Sequence, residues 1–132
     1  MNAVKIEAGR NIKMPTIVNI REDNFIEDIY NEINCRCFDI VTINIYGKDY
    51  FMFVDDEGLL KSDPQINLLA WFFYSELNEQ APIVGNAIIL GITDDESDSR
   101  GLTDFEIQDI DHICNIFVNS GLPSLYGRTI DD

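Results

Sequence analysis

Residues 38–54 read FDIVTINIYGKDYFMFV, and this stretch decides the fold. Val41, Ile43 and Ile45 share one phase of a two-residue period, as a strand with one buried face requires. Phe38 and Ile40 occupy the other phase. The slip means either a bulge near Ile40 or burial on both faces. Gly47, Lys48 and Asp49 turn the chain, and residues 50–54, YFMFV, return as an apolar strand. The two read as a central antiparallel hairpin.

Working outward toward the N-terminus, residues 24–33 carry a helix signal. Asn24 is placed to cap it, and Glu27 follows three residues on, as in a capping box. Phe25, Ile26, Ile29, Tyr30 and Ile33 make one apolar stripe, and Asp23, Glu27 and Asp28 suit the positive end of the helix dipole. Before it, residues 4–8 and 16–20 alternate or run apolar and read as strands of an N-terminal hairpin with a loose loop.

Toward the C-terminus, residues 55–58 form a turn. Asp63 and Pro64 then read as N-cap and first helical residue of a largely buried helix over 65–79, closed by Pro82. Its Trp71, Phe72 and Phe73 would offer a dimer surface if exposed, but their place is the core. Residues 87–90 are a short buried strand, and 93–101, TDDESDSRG, a polar, mobile loop. Thr103 with Glu106 makes a second capping box for a helix over 104–119. Ile107, Ile110, Cys114, Phe117 and Val118 face inward on it, with Gly121 at the C-cap. Residues 120–132 form a tail that packs as an extended strap. The expected class is α+β: one domain over residues 1–132, a mostly antiparallel sheet of about five strands, and three helices.

Charge narrows the function. The 132 residues carry 24 acids and 9 bases, a net charge of -15. Residues 1–48 hold six bases and seven acids, and residues 49–132 hold three bases and seventeen acids. Such a molecule repels nucleic acid and anionic membranes and is drawn to basic proteins. No apolar run is long enough to cross a bilayer, and the first residues lack the apolar segment of a signal peptide. Three cysteines, an odd count, fit a reducing cytoplasm.

Motifs for chemistry are weak. Neither calcium-loop register over residues 93–107 works. Placing Gly101 sixth puts Ile107 where a bidentate carboxylate belongs, and starting at Asp95 puts Arg100 in place of the glycine. Cys35 and Cys37 with His112 and Cys114 lack the usual spacer between zinc ligands, and His112 and Cys114, two apart on a helix, diverge. There is no serine elbow, cysteine-protease signature, P-loop or dinucleotide fingerprint. No catalytic residue, metal or cofactor is expected.

Several short motifs are shared with one family. They are Val54-Asp55-Asp56-Glu57-Gly58-Leu59-Leu60-Lys61, then Pro64, Asn67 and Ala70, then Pro82-Ile83-Val84-Gly85-Asn86-Ala87, and Gly101-Leu102-Thr103-Asp104 after the acidic loop. Through them, over about residues 3–111, the chain resembles the family catalogued as domain of unknown function 3846. Trp71-Phe72-Phe73 and the tail after Asn119 depart from its pattern. That family is phage- and plasmid-borne without an assigned activity, so the resemblance implies a mobile-element setting rather than a reaction.

The expectation is a non-enzymatic, cytoplasmic interaction protein. Its acids would imitate DNA and occupy a basic, nucleic-acid-binding host defence enzyme. The partner-binding candidates are Asp55, Asp56 and Glu57, then Asp94, Asp95, Glu96 and Asp98, then Asp104, Glu106, Asp109 and Asp111. The alternatives are a small-molecule or nucleotide site at Asn67, Trp71, Gly85 and Asn86, and a metal-dependent enzyme built on the turn Asp55-Asp56-Glu57.

Overall fold

A computed structural model describes residues 1–75, 82–125 and 129–131. In chain order the elements are β1 (Asn2–Ile6), β2 (Asn11–Lys13), β3 (Thr16–Asn19), α1 (Phe25–Ile33), β4 (Phe38–Ile45), β5 (Lys48–Asp55), a 3-10 turn (Gly58–Leu60) and α2 (Leu68–Ser75). Then come β6 (Ala87–Ile92), β7 (Ser99–Arg100), α3 (Asp104–Val118), α4 (Leu122–Leu125) and β8 (Thr129–Asp131). The main sheet runs β3-β1-β6-β5-β4, every neighbour antiparallel, with β7 paired to the end of β6. A separate parallel pair joins β2 to β8. The class is α+β, as expected, with a sixth strand in the sheet.

The central strand is β6, whose Ala87, Ile88, Ile89 and Leu90 are all fully buried. An unbroken apolar run is what a strand covered on both faces requires. On one face Ile88 and Leu90 join Ala3, Ile20 and Phe53 against Ile29 and Ile33 of α1. On the other, Ile89 joins Val4, Ile6, Met52 and Val54 against Leu69 of α2 and Ile110, Cys114 and Phe117 of α3. The protein is therefore a sheet between two helical layers.

The hairpin β4–β5 pairs without interruption from Phe38↔Asp55 to Ile45↔Lys48. There is no bulge at Ile40. The phase slip records burial on both faces: Phe38 packs edge-on to Phe53, while Ile43 and Ile45 enter the opposite core. The turn is tighter than residues 47–49. Tyr46 and Gly47 alone make it, with φ of 52° and 82°, and Lys48 already belongs to β5. Positive φ at both central positions matches the right-handed strand twist.

Local signals gave way in three places. Asn24 precedes α1, but its side chain makes no capping bond. Asp28 instead reaches back to the Arg21 backbone N–H at 2.8 Å and to its guanidinium at 2.7 Å. Helix α2 begins at Leu68, not at residue 65, because Ile66 bridges to Val84 and the Asn67 N–H donates to Ile83 O at 2.8 Å. The expected end of that helix, with Leu77 and residues 76–81, lies outside the described residues. Trp71 and Phe72 are half-buried and Phe73 is buried, all packed on the core. Gly121, at φ +83°, lies two residues past the cap Asn119 and turns the chain into α4. The tail is thus a short helix and a parallel strand. By contrast the Thr103–Glu106 capping box is present in full.

Candidate functional site

The carboxylates expected to form one surface are divided among three places. Asp55 ends β5, and its side chain is 1% exposed. It accepts the Glu57 N–H at 2.9 Å, and the Lys61 Nζ lies 2.8 Å from Oδ2 as an ionic contact. Glu106, in the first turn of α3, is 3% exposed. The Arg100 guanidinium holds it with two bonds of 2.7 Å, and Lys48 Nζ adds a third contact at 2.8 Å. These donors hold its carboxyl well below the usual range. Asp55 and Glu106 are therefore withdrawn from any docking surface, since a buried, neutralised carboxylate presents no charge to a partner. Asp56 and Glu57 stay near the same far end of β5 as Asp55. Asp104, half-buried Asp109 and Asp111 lie on α3, across the sheet from α1.

The third group is coherent. Asp94, Asp95, Glu96 and Asp98 are exposed on the β6–β7 hairpin. The loop, expected to be polar and mobile, is closed by hydrogen bonds into a turn. The Thr93 N–H donates to Asp98 O at 2.9 Å, and the Asp95 carboxylate accepts the Thr93 and Ser97 hydroxyls at 2.6 and 2.7 Å. Those donors pull Asp95 down to about 2, so it stays charged far into acid. Asp94 and Glu96 share a depression of about 440 Å³ with Asp49. Asp98, on the hairpin's other side, shares one of about 410 Å³ with Glu22. Glu22 in turn adjoins Asp23 and Glu27 in a third of about 500 Å³.

Eight exposed carboxylates thus run continuously around this end: Asp49, Asp94, Asp95, Glu96, Asp98, Glu22, Asp23 and Glu27. None of them forms an ion pair among the described residues. The bases nearby are spent elsewhere, Arg21 on Asp28 and Lys48 and Arg100 on Glu106. Gly91 makes the last arrangement possible, because a Cβ there would collide with the Arg100 guanidinium as it crosses β6. In the sequence Asp23 and Glu27 suit a helix dipole and Asp49 a turn. Only the return of β6 beside α1 brings them to the hairpin.

The alternative ligand residues serve the backbone. Asn67 is 1% exposed; its amide donates to Ile6 O at 2.9 Å and Gly85 O at 3.0 Å, and its Oδ1 accepts the Ala70 N–H at 3.1 Å, capping α2. Asn86 Oδ1 accepts the Ala8 N–H at 2.9 Å. Gly85 adopts φ +87° beside Asp55, and Gly58 lies so close to Val84 that a Cβ would come within 2.8 Å of its carbonyl. The motif segments 54–61 and 82–87 are therefore packed on each other. A family model described as a domain of unknown function, DUF3846, matches residues 1–115. The chain belongs to this family. The DUF3846 region covers the whole main sheet and most of α3, while α4 and β8 lie beyond it. No curated protein and no solved structure matches the chain significantly.

Nucleophiles and metal ligands in this DUF3846 protein are dispersed. Cys114 is sealed in the core, where burial pushes its thiol up. His112 is exposed, its Nδ1 3.0 Å from the Tyr46 hydroxyl. Cys35 and Cys37 lie between α1 and β4, both held above the usual thiol range, Cys35 by burial and Cys37 by its bond to Glu57. Among the described residues no group of three or more His, Cys, Asp and Glu is placed to hold a metal ion, and no helix is long and apolar enough to cross a membrane.

Proposed function

We propose that this DUF3846 protein is a non-enzymatic, acidic interaction protein of phage or mobile-element type. It docks the basic surface of a nucleic-acid-binding host protein, a restriction or CRISPR defence enzyme, and inhibits it by occupying the DNA site. One observation carries the reading: among the described residues the eight carboxylates at the hairpin end form no ion pair, while Arg21, Lys48 and Arg100 nearby are paired with Asp28 and Glu106. Duplex DNA presents about one charge per 1.7 Å of axis, and a continuous run of carboxylates offers a basic cleft a comparable field. The phage or plasmid setting rests on the family resemblance.

The test is retention of host proteins on the immobilised protein at low and high salt, with the variant D94N/D95N/E96Q/D98N beside it. The expected result is a basic nucleic-acid-binding protein that is retained at low salt, released by salt or by duplex DNA, and lost with the variant. Retention that ignores both salt and the four substitutions would refute the reading, as would a partner that duplex DNA fails to displace.

A further inference from the structure

Among the described residues the edge of the sheet formed by β3 is unpaired, and its geometry is that of a strand-accepting groove. The Met1 amine donates to Ile20 O at 2.8 Å, and the Ile20 N–H donates to Met1 O at 2.9 Å, so these two residues form a doubly bonded pair. Antiparallel pairing alternates, which makes Ala3↔Val18 and Lys5↔Thr16 the next bonded pairs. The N–H and C=O groups of Ile17 and Asn19 therefore point outward, and among the described residues nothing pairs with them. The opposite edge differs: on β4 the Ile40 N–H is already taken by the Asp39 carboxylate at 2.8 Å. A carboxylate folded onto an edge is one way proteins blunt it against added strands.

Beside the open edge lies a groove of about 220 Å³ between β3 and α3. Val4, Ile107 and Ile110 floor it, the Ile17 side chain stands 60% exposed at its side, and Gln108 and Asp111 rim it. Free backbone donors and acceptors next to an apolar trough call for an extended chain, which supplies both a ladder and alternating side chains. The net charge of -15 and the Asp111 carboxylate favour a cationic occupant over a second copy of this chain.

We propose that β3 accepts an extended segment of a basic protein as a seventh strand of the main sheet. The incoming residue opposite Ile17 drops an aliphatic side chain into the groove, and a lysine or arginine two positions away on the same face meets Asp111. The sign of the occupant's charge rests on the function proposed above, and the edge itself does not.

The probe is a blocked heptapeptide, Thr-Lys-Thr-Ile-Thr-Lys-Thr, followed by amide exchange on the full chain. The expected result is exchange slowed about tenfold or more at Ile17 and Asn19. Methylating the peptide's isoleucine nitrogen removes a donor to the ladder and should weaken binding about tenfold. Ile17→Pro removes an outward N–H that no described strand uses, and it should abolish binding with the melting temperature nearly kept. If that variant fails to fold, the methylated peptide still decides.

Equal binding by the methylated peptide, or shifts confined to residues 94–98, overturns the proposal and leaves the acidic docking surface standing. Protection of Ile17 and Asn19 without peptide, in a chain that sediments as a dimer, gives the edge to a second copy and also overturns it. A peptide with glutamates for lysines that protects the same amides equally keeps the edge but refutes the basic occupant.

Discussion

Asn67 holds three backbone groups with one amide, joining β1, the chain before β6 and the first turn of α2. Asn67→Ala removes the cap and leaves a buried carbonyl on Ile6 and a partly buried one on Gly85 short of a donor, at a cost of about 2–4 kcal/mol. Asn67→Asp keeps the cap acceptor but sets a charge against those carbonyls, so thermal melts should place it no better than the alanine variant. The acid side of the stability curve belongs to Glu106 and Asp28. Bonds from Arg100 depress the first, and bonds from Arg21 bring the second to about 2 from 3.8. A depressed folded value contributes stability above the unfolded value, which is lost as pH falls through the folded one. Melting temperature should hold down to about pH 5 and then fall as these carboxylates protonate. Glu106→Gln should lower it at neutral pH and flatten that fall. A profile identical in slope to the parent's would show that the Arg100–Glu106 pair contributes nothing.

At the scale of elements, the β4–β5 turn places a tyrosine where φ is 52°, a conformation asparagine tolerates better. Tyr46→Asn should stabilise by about 0.5 kcal/mol in denaturant titration, the gain being trimmed by loss of the exposed bond to His112. This hairpin was legible because its apolar period is local, and so was α3, whose capping box lies within four residues. The start of α2 was not. Asp63-Pro64 is a sound local signal, but strand-like pairing of Ile66 and Asn67 with residues 83 and 84 outbids it, and that pairing comes from a segment about eighteen residues away. The parallel pair β2–β8 joins segments more than a hundred residues apart and carries no periodicity to read. The edge groove escaped for the same reason, since Ile17 and Ile107 meet only through the sheet.

For the whole molecule, the charge total was legible and its grouping was not. Composition cannot tell that Asp55 and Glu106 have private cations, or that acids from the nearly neutral first third join the hairpin. With charge of -15 over 132 residues, self-repulsion opposes folding. Raising sodium chloride from about 10 to 150 mM shortens the screening length from about 30 to 8 Å and should raise the melting temperature. The variant D94N/E96Q, which leaves the bonded Asp95 and Asp98 carboxylates in place, should melt higher than the parent at low salt, with the gap closing as salt rises. No gap would place those charges too far apart to interact. The family match ends at Asn115, two residues before Phe117, which is 1% exposed and stacks on Phe72 with ring centres 4.5 Å apart. A fragment trimmed to the recognised boundary would lose this plug and uncover the seam between α2 and α3, forfeiting about 3–5 kcal/mol. Dissecting the chain where the family stops would therefore manufacture an aggregation-prone stump, so deletion mapping has to spare the helix through Val118.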